Sequence, residues 1–238
     1  ASVLNTALFA GGIYCFFREY FRDERAPLVA LVVFFGSWLD APHFSNVYKL
    51  SVFFSVAGYP STAALAFMMF GFFVVLRLLR SDAERPGLWA LSAGIWAYVY
   101  ITHPLTAMAA VTGALLFALT EPSVTLRRRL WVGGSVFAGL ALSLVWPYYP
   151  ALGMVLSGTA DRVQKGLDPN QVHELHSFFE PEKMLDIVGF CLLVLPVIPY
   201  FAWRRKQLIV PLGAHAMLAV FALTAFIDIP LGHRFILL

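Results

Sequence analysis

Charge is what this chain has least of. Only 13% of its 238 residues are Asp, Glu, Lys or Arg, and the 34 residues from Gly87 to Thr120 contain none. A soluble domain carries about a quarter charged residues, so a surface that faces water throughout is excluded. Cysteine is also sparse. Cys15 and Cys191 lie far apart in apolar segments and read as small buried hydrophobes, not as a disulfide or a metal pair. No basic stretch followed by a small-residue cleavage site marks a signal peptide at the start. The basic residues come only in short clusters, without the continuous basic face that nucleic acid requires, so nucleic acid is not an expected partner.

What the chain has instead is apolar surface: 60% hydrophobic and 16% aromatic residues, with a mean hydropathy of +0.75. Several runs approach the roughly 20 residues needed to span a bilayer, which predicts an integral membrane protein. The expected fold is all-α, a polytopic transmembrane helical bundle of about seven or eight crossings in one domain, residues 1–238. The crossings are placed at about 1–17, 27–39, 60–79, 87–102, 104–120, 130–148, 184–202 and 208–227. The chain starts without Met inside a hydrophobic segment and stops at "HRFILL", so it is expected to be a piece of a longer polytopic protein.

The connections between these segments form two alternating sets. One holds Arg18, Arg22, Arg25, Arg77, Arg80, Arg85, Arg127, Arg128, Arg129, Arg204, Arg205 and Lys206, which is twelve of the seventeen cations. The other holds Lys49, Arg162, Lys165, Lys183 and Arg234, although its loops are longer. The positive-inside rule makes the first set cytoplasmic. Both flanks of the uncharged run are then cytoplasmic, so the run crosses an even number of times. As one helix it would be about 51 Å long, too much for a core of about 30 Å. It is expected to be a hairpin turning at Thr102-His103-Pro104, because Pro104 disfavours helix at the residue before it and suits the first turn of the next helix.

With that orientation the unusual side chains collect on the outer face: Asp40, His43, His103, His173, Glu174, His176, Asp186, Asp228, His233 and Arg234. His215 is the one histidine placed within a span and nearer the cytoplasm. The outer loops are placed at 40–60 and 147–183. In the first, the portion around Lys49 can form an interfacial helix with Phe53 and Phe54 in lipid. Asp40 and His43 follow an apolar span as D-x-x-H, which suits a divalent cation or an acid/base pair; the alternative is a solvated Asp beside an interfacial Trp38. In the second loop, "HELH" (His173 to His176) spaces its imidazoles three apart, not the four of the H-E-x-x-H proteases, and no third ligand is evident locally. It reads as a polar loop or a partial metal site. His103 either caps backbone groups at the helix break or donates to an anionic ligand at the start of the following leg, with Thr106 adding a hydroxyl. Asp228, His233 and Arg234 end the last span, where Arg beside His suits phosphate or pyrophosphate; snorkelling to lipid headgroups is the alternative.

The outer "THPLTA" turn, "GYPSTAALAF" opening a span, and the terminal "HRF" together resemble the GT-C superfamily of membrane glycosyltransferases, bacterial members most. The resemblance implies transfer of a sugar from a polyprenyl-phosphate donor to a lipid, glycan or protein acceptor, at the non-cytoplasmic face of a bacterial inner membrane. It places Asp40 and His43 at the catalytic or metal position of the second outer loop, with D-x-x-H where metal-dependent relatives have D-x-D or E-x-D. The metal, if one is used, would be Mg or Mn. The carboxylate usual in the first outer loop of that family would lie upstream of Ala1. His233-Arg234-Phe235 is similar to the "HK-x-x-RF" ending of some mannosyltransferase relatives with shortened spacing, which implies that Arg234, with His233 and His103, contacts the donor phosphate. An apolar groove for the isoprenoid would be lined by aromatic spans such as Met68 to Phe73. Two other functions fit the pattern: a transporter or flippase of a lipid-linked glycan, and a non-catalytic membrane subunit. A transporter needs ionisable residues along a path through the membrane, and His215 is the one mid-span candidate.

Overall fold

The computed structural model describes residues 2–36 and 50–147. These residues are all-α, with seven helices: α1 (Ser2–Phe21), α2 (Ala26–Gly36), α3 (Leu50–Val56), α4 (Pro60–Arg80), α5 (Pro86–Thr102), α6 (Pro104–Thr120) and α7 (Leu126–Leu144). They belong to one compact unit. Six of the expected spans fall on α1, α2 and α4 to α7; those at 184–202 and 208–227 lie outside the described residues. Among the described helices one, Pro60–Arg80, is long and apolar enough to cross a membrane, while Ala26–Phe35 and Thr106–Thr120 are apolar but shorter.

Proline opens three of these helices: Pro60, Pro86 and Pro104 each occupy the first turn, where a missing N–H costs nothing. Basic residues close two helices, with Arg18 in the last turn of α1 and Arg77 and Arg80 in that of α4, complementing the negative end of each. Arginine continues a helix well, so charge ends a hydropathic run without ending the helix. That is why α1 extends to Phe21, past the expected 17, and why α7 begins at Leu126, ahead of the expected 130, with Thr125 as its cap accepting from the Arg128 N–H.

The hub of the unit is α4, which packs against α1, α5, α6 and α7. Its Phe72 ring lies 5.6 Å from Phe16 of α1, 5.9 Å from Trp96 of α5 and 5.3 Å from Phe117 of α6. Trp96 and Phe117 would be about 31 Å apart on one continuous helix. Both meet the same ring, so α5 and α6 fold back on each other as a hairpin. The expected turn is where the helix breaks: His103 is at once the C-cap of α5 and the N-cap of α6. Trp96 is 1% exposed and sits where α5 and α7 come closest. At Gly139 a Cβ would fall 2.6 Å from the Trp96 Cβ and 2.8 Å from the Ala93 carbonyl oxygen, so only glycine permits this approach. Beside it the Trp96 indole N–H donates to Ser92 Oγ (3.1 Å), Ser92 and Ser135 share a hydrogen bond of 2.9 Å, and Ser135 Oγ donates to the Val132 carbonyl (2.8 Å). Every polar group in this buried chain is thereby satisfied.

One expectation requires correction. Phe53 of α3 does not lie in lipid: it is 1% exposed and packs against Phe9 (5.3 Å) and Phe35 (5.0 Å), while Phe54 is exposed. A short helix turns one face inward, and the aromatic cluster on α1 and α2 provides the better burial for that face. Within Met68 to Phe73, Met68, Met69 and Phe72 are buried core and Gly71 is covered by the Trp96 ring, while Phe70 and Phe73 are half-buried.

The ends of α1, α4 and α6 and the starts of α5 and α7 meet at one arginine-rich end. There Arg80 Nε donates to Glu121 Oε1 at 2.6 Å and Arg80 Nη1 lies 3.5 Å from Glu19 Oε1, with all three side chains at most 20% exposed. Arg77 Nε joins Glu19 Oε2 at 3.1 Å, and Arg80 also donates to the Glu19 backbone carbonyl. Arg129 donates to the carbonyls of Ala118, Glu121 and Val124. Removing one partner of a buried pair leaves the other charge uncompensated, whereas an apolar pair of similar size is tolerated. Arg80→Met should therefore destabilise the protein by about 3 kcal/mol, and adding Glu121→Leu should recover a large part of that loss. Thermal unfolding of the two variants in detergent checks both outcomes; a double variant no more stable than the single one contradicts the pairing.

Candidate functional site

Of the residues the sequence marks as a site, the described region contains His103. Asp40, His43, His173, Glu174, His176, Asp228, His233 and Arg234 lie outside the described residues, as does His215. Among the described residues no group of three or more His, Cys, Asp or Glu side chains is arranged to hold a metal ion.

His103 has an extended backbone, φ −154° and ψ 95°, which is the conformation the residue before a proline prefers. Its own N–H still donates to the Val99 carbonyl (3.0 Å), closing α5, and its carbonyl accepts from the Ala107 N–H (3.0 Å), opening α6. Its ring then completes the cap. Nδ1 accepts from the Thr106 backbone N–H at 3.3 Å and lies 2.8 Å from Thr106 Oγ1. A ring nitrogen that accepts from a backbone amide carries no proton, so this bond directs the proton of the neutral imidazole to Nε2. Histidine here does the work usually given to Ser, Thr, Asp or Asn at this position.

Capping is thus the observed role of His103 at the break. Thr106 adds a hydroxyl to this turn, and at 1% exposed that hydroxyl belongs to the cap. The inward turn of Thr106 follows from the cap itself, because the side chain three residues into the helix must face back toward His103 to share its Nδ1.

The arginines at this end mark orientation in the sequence, and the carboxylates beside them carry the ion pairs. Glu19 and Glu121 were the available signal: two acidic residues at the ends of apolar segments whose flanks are otherwise basic. The same end carries a second feature. Arg22, just after α1, has a φ of 54°, a left-handed conformation that costs a non-glycine residue about 1–3 kcal/mol. Its N–H nevertheless donates to the Arg18 carbonyl at 2.9 Å, so it takes the place where glycine ordinarily ends a helix.

Two open depressions mark the surface of this unit. One, of about 460 Å³, is lined by Tyr14, Cys15, Arg18, Glu19, Arg22, Asp23, Glu24, Phe73 and Arg77 at the arginine-rich end. The other, of about 510 Å³, is an apolar groove between α5 and α7 lined by Trp89, Ala90, Ala93, Ala138, Ala141, Leu142 and Val145. His103 lines neither of them.

No family model matches the sequence, and neither a curated protein nor a solved structure does.

The capping geometry leads to a specific expectation for His103. Replacing it by Ala should cost about 1 kcal/mol, while Asn, a good cap, should restore the stability. Unfolding midpoints of the two variants in detergent check this. An Asn variant as unstable as the Ala variant would show that the ring contributes through something other than the cap.

Proposed function

We propose that the chain is a multi-pass membrane protein of about seven or eight crossings, and that it is a GT-C-type glycosyltransferase. In this reading a sugar passes from a polyprenyl-phosphate donor to a lipid, glycan or protein acceptor at the face opposite the arginine-rich end. The observation that carries the membrane reading is the distribution of polarity in the described unit. Charged side chains cluster at one end, while Leu28, Val29, Val32, Leu91, Met108 and Phe137 are exposed along the helices. Exposed apolar side chains spread over several helices are costly in water and fit a lipid surroundings. The hairpin agrees with this, since both uncharged legs are 17 residues, about 26 Å each.

Glycosyl transfer rests on the sequence resemblance and on the chemistry of the outer residues. A carboxylate must deprotonate or polarise the acceptor hydroxyl, and a cation must hold the donor phosphate as it leaves. Asp40, with His43, is assigned the first role, with Mg or Mn as a possible metal partner. Arg234 and His233 are assigned the second. The His103 turn belongs to the same outer face, where the cap orients its ring. Asp228, His173, Glu174 and His176 are the further polar candidates of that face.

The reading is tested in membranes containing the full chain, by transfer of labelled sugar from a polyprenyl-phosphate donor. Asp40→Asn should lower the rate by about 100-fold or more, as loss of a general base does. Arg234→Ala should lower it by about tenfold or more, as loss of a charge-assisted phosphate contact does. Full activity in both variants overturns the site, and absence of transfer from any such donor by the unmodified chain overturns the enzyme.

A further inference from the structure

The depression at the arginine-rich end has a mixed composition that the proposed transfer does not use and that the helix-end ion pairs use only through Glu19 and Arg77. Its rim carries three guanidinium groups, Arg18, Arg22 and Arg77, and three carboxylates, Glu19, Asp23 and Glu24. Its wall is apolar and aromatic, with Tyr14, Cys15 and Phe73. The charges are not all spent on one another. Glu19 is held by Arg77 and Arg80. Arg18 meets Glu24 at 2.8 Å, but the two side chains are 53% and 80% exposed, so water competes strongly for both. Asp23 Oδ1 accepts the Arg25 N–H at 2.8 Å, which leaves its second oxygen unassigned by that turn. Among the described residues no carboxylate pairs with the Arg22 guanidinium, and Arg22 is the residue held in a left-handed conformation where glycine would be unstrained. Strain retained at a residue whose side chain has no partner points to a ligand for that side chain.

The rest of the rim narrows the chemistry. A purely anionic ligand would be drawn to Arg22 and repelled by Asp23 and Glu24 beside it. A ligand carrying an anion and a cation a few bonds apart satisfies both. From this geometry we infer that the depression binds the headgroup of a zwitterionic aminophospholipid of the adjoining leaflet: its phosphate on Arg22, assisted by the unused N–H groups of Arg77, and its ammonium between Asp23 and Glu24. The aromatic wall then receives the start of an acyl chain. The cation–π placement of Arg18 over Tyr14 (6.0 Å) and Arg77 over Phe73 (5.4 Å) holds the guanidinium groups at the border between polar rim and apolar wall. The volume, about 460 Å³, falls within the range of small-ligand sites. This inference rests on the membrane reading above and is independent of the glycosyl transfer.

The test uses the full chain in nanodiscs of phosphatidylethanolamine and phosphatidylglycerol, followed by native mass spectrometry of the lipids it retains on extraction. Phosphatidylethanolamine should be retained in preference to phosphatidylglycerol. Arg22→Gly should lose about fivefold of that retention while unfolding at the same or a higher temperature, because glycine relieves the left-handed residue. Glu24→Gln should shift the preference toward phosphatidylglycerol, which loss of an acidic pair without a bound headgroup would not do. Phosphatidylglycerol preferred by the unmodified chain, or full retention in Arg22→Gly, overturns the inference. Displacement of the lipid by equimolar soluble phosphoethanolamine overturns the lipid as the source. A chain that fails to enter the bilayer, seen by flotation, overturns the membrane reading itself, whereas an inserted chain without lipid preference overturns this site alone.

Discussion

The Arg80 guanidinium is the contact on which the arrangement of the described helices depends. It lies at the end of α4, reaches Glu19 near the end of α1 and Glu121 just past the end of α6, and is largely removed from water. Two carboxylates that close to one another would repel in a medium of low dielectric, so the cation between them is what permits α1 and α6 to end side by side. Arg129 extends the same logic from α7 by filling the carbonyls that α6 leaves unpaired at its C-terminus. Helix ends are where an apolar bundle must still satisfy polar groups, and here one cluster of side chains does so for several helices at once.

Away from that cluster the unit is held by shape. Phe72 meets rings from α1, α5 and α6, and the close pass of α7 at Gly139 leaves no space for a β-carbon. If the unit lies in lipid as proposed, its helices gain little from hiding apolar surface from one another, and close backbone approach and ring-on-ring packing become the main sources of specificity. The serine pair beside Trp96 adds direction to that packing, because the Ser92–Ser135 hydrogen bond forms only when α5 and α7 are in one register.

Much of this architecture was readable from the residues. The hairpin followed from two facts, an uncharged run too long for one crossing and basic residues on both flanks, and His103-Pro104 was the one place where the run had a reason to break. Segment ends were read less well, because hydropathy stops at the first arginine whereas a helix continues through it, as α1 does past Arg18 and α7 does through Arg127 to Arg129. Burial direction was the weakest point. Phe53 and Phe54 are equivalent to any scale of hydrophobicity, and what separates them is the presence of Phe9 and Phe35 on one side of a short helix. The role of His103 was legible as a pair of alternatives, and the cap is the one the structure makes visible, through Thr106 within reach of Nδ1. The Glu19–Arg80–Glu121 cluster was illegible because its members are distant in sequence and each resembles an ordinary loop charge.

The shared ring of Phe72 also bears on the order in which the chain can assemble. Phe16 of α1 packs against Phe117 of α6 as well as against Phe72. During synthesis α1 therefore cannot complete this packing until α6 has been made, and it must wait through everything between them. Meanwhile the face of α1 that carries Phe9, Ile13 and Phe16 has to be covered by something else. The α4 helix, the longest apolar segment described, packs against α1 and precedes the hairpin in the chain, so it is available to cover that face first. The aromatic layer thus also constrains the order of completion, because it closes only when the hairpin is present.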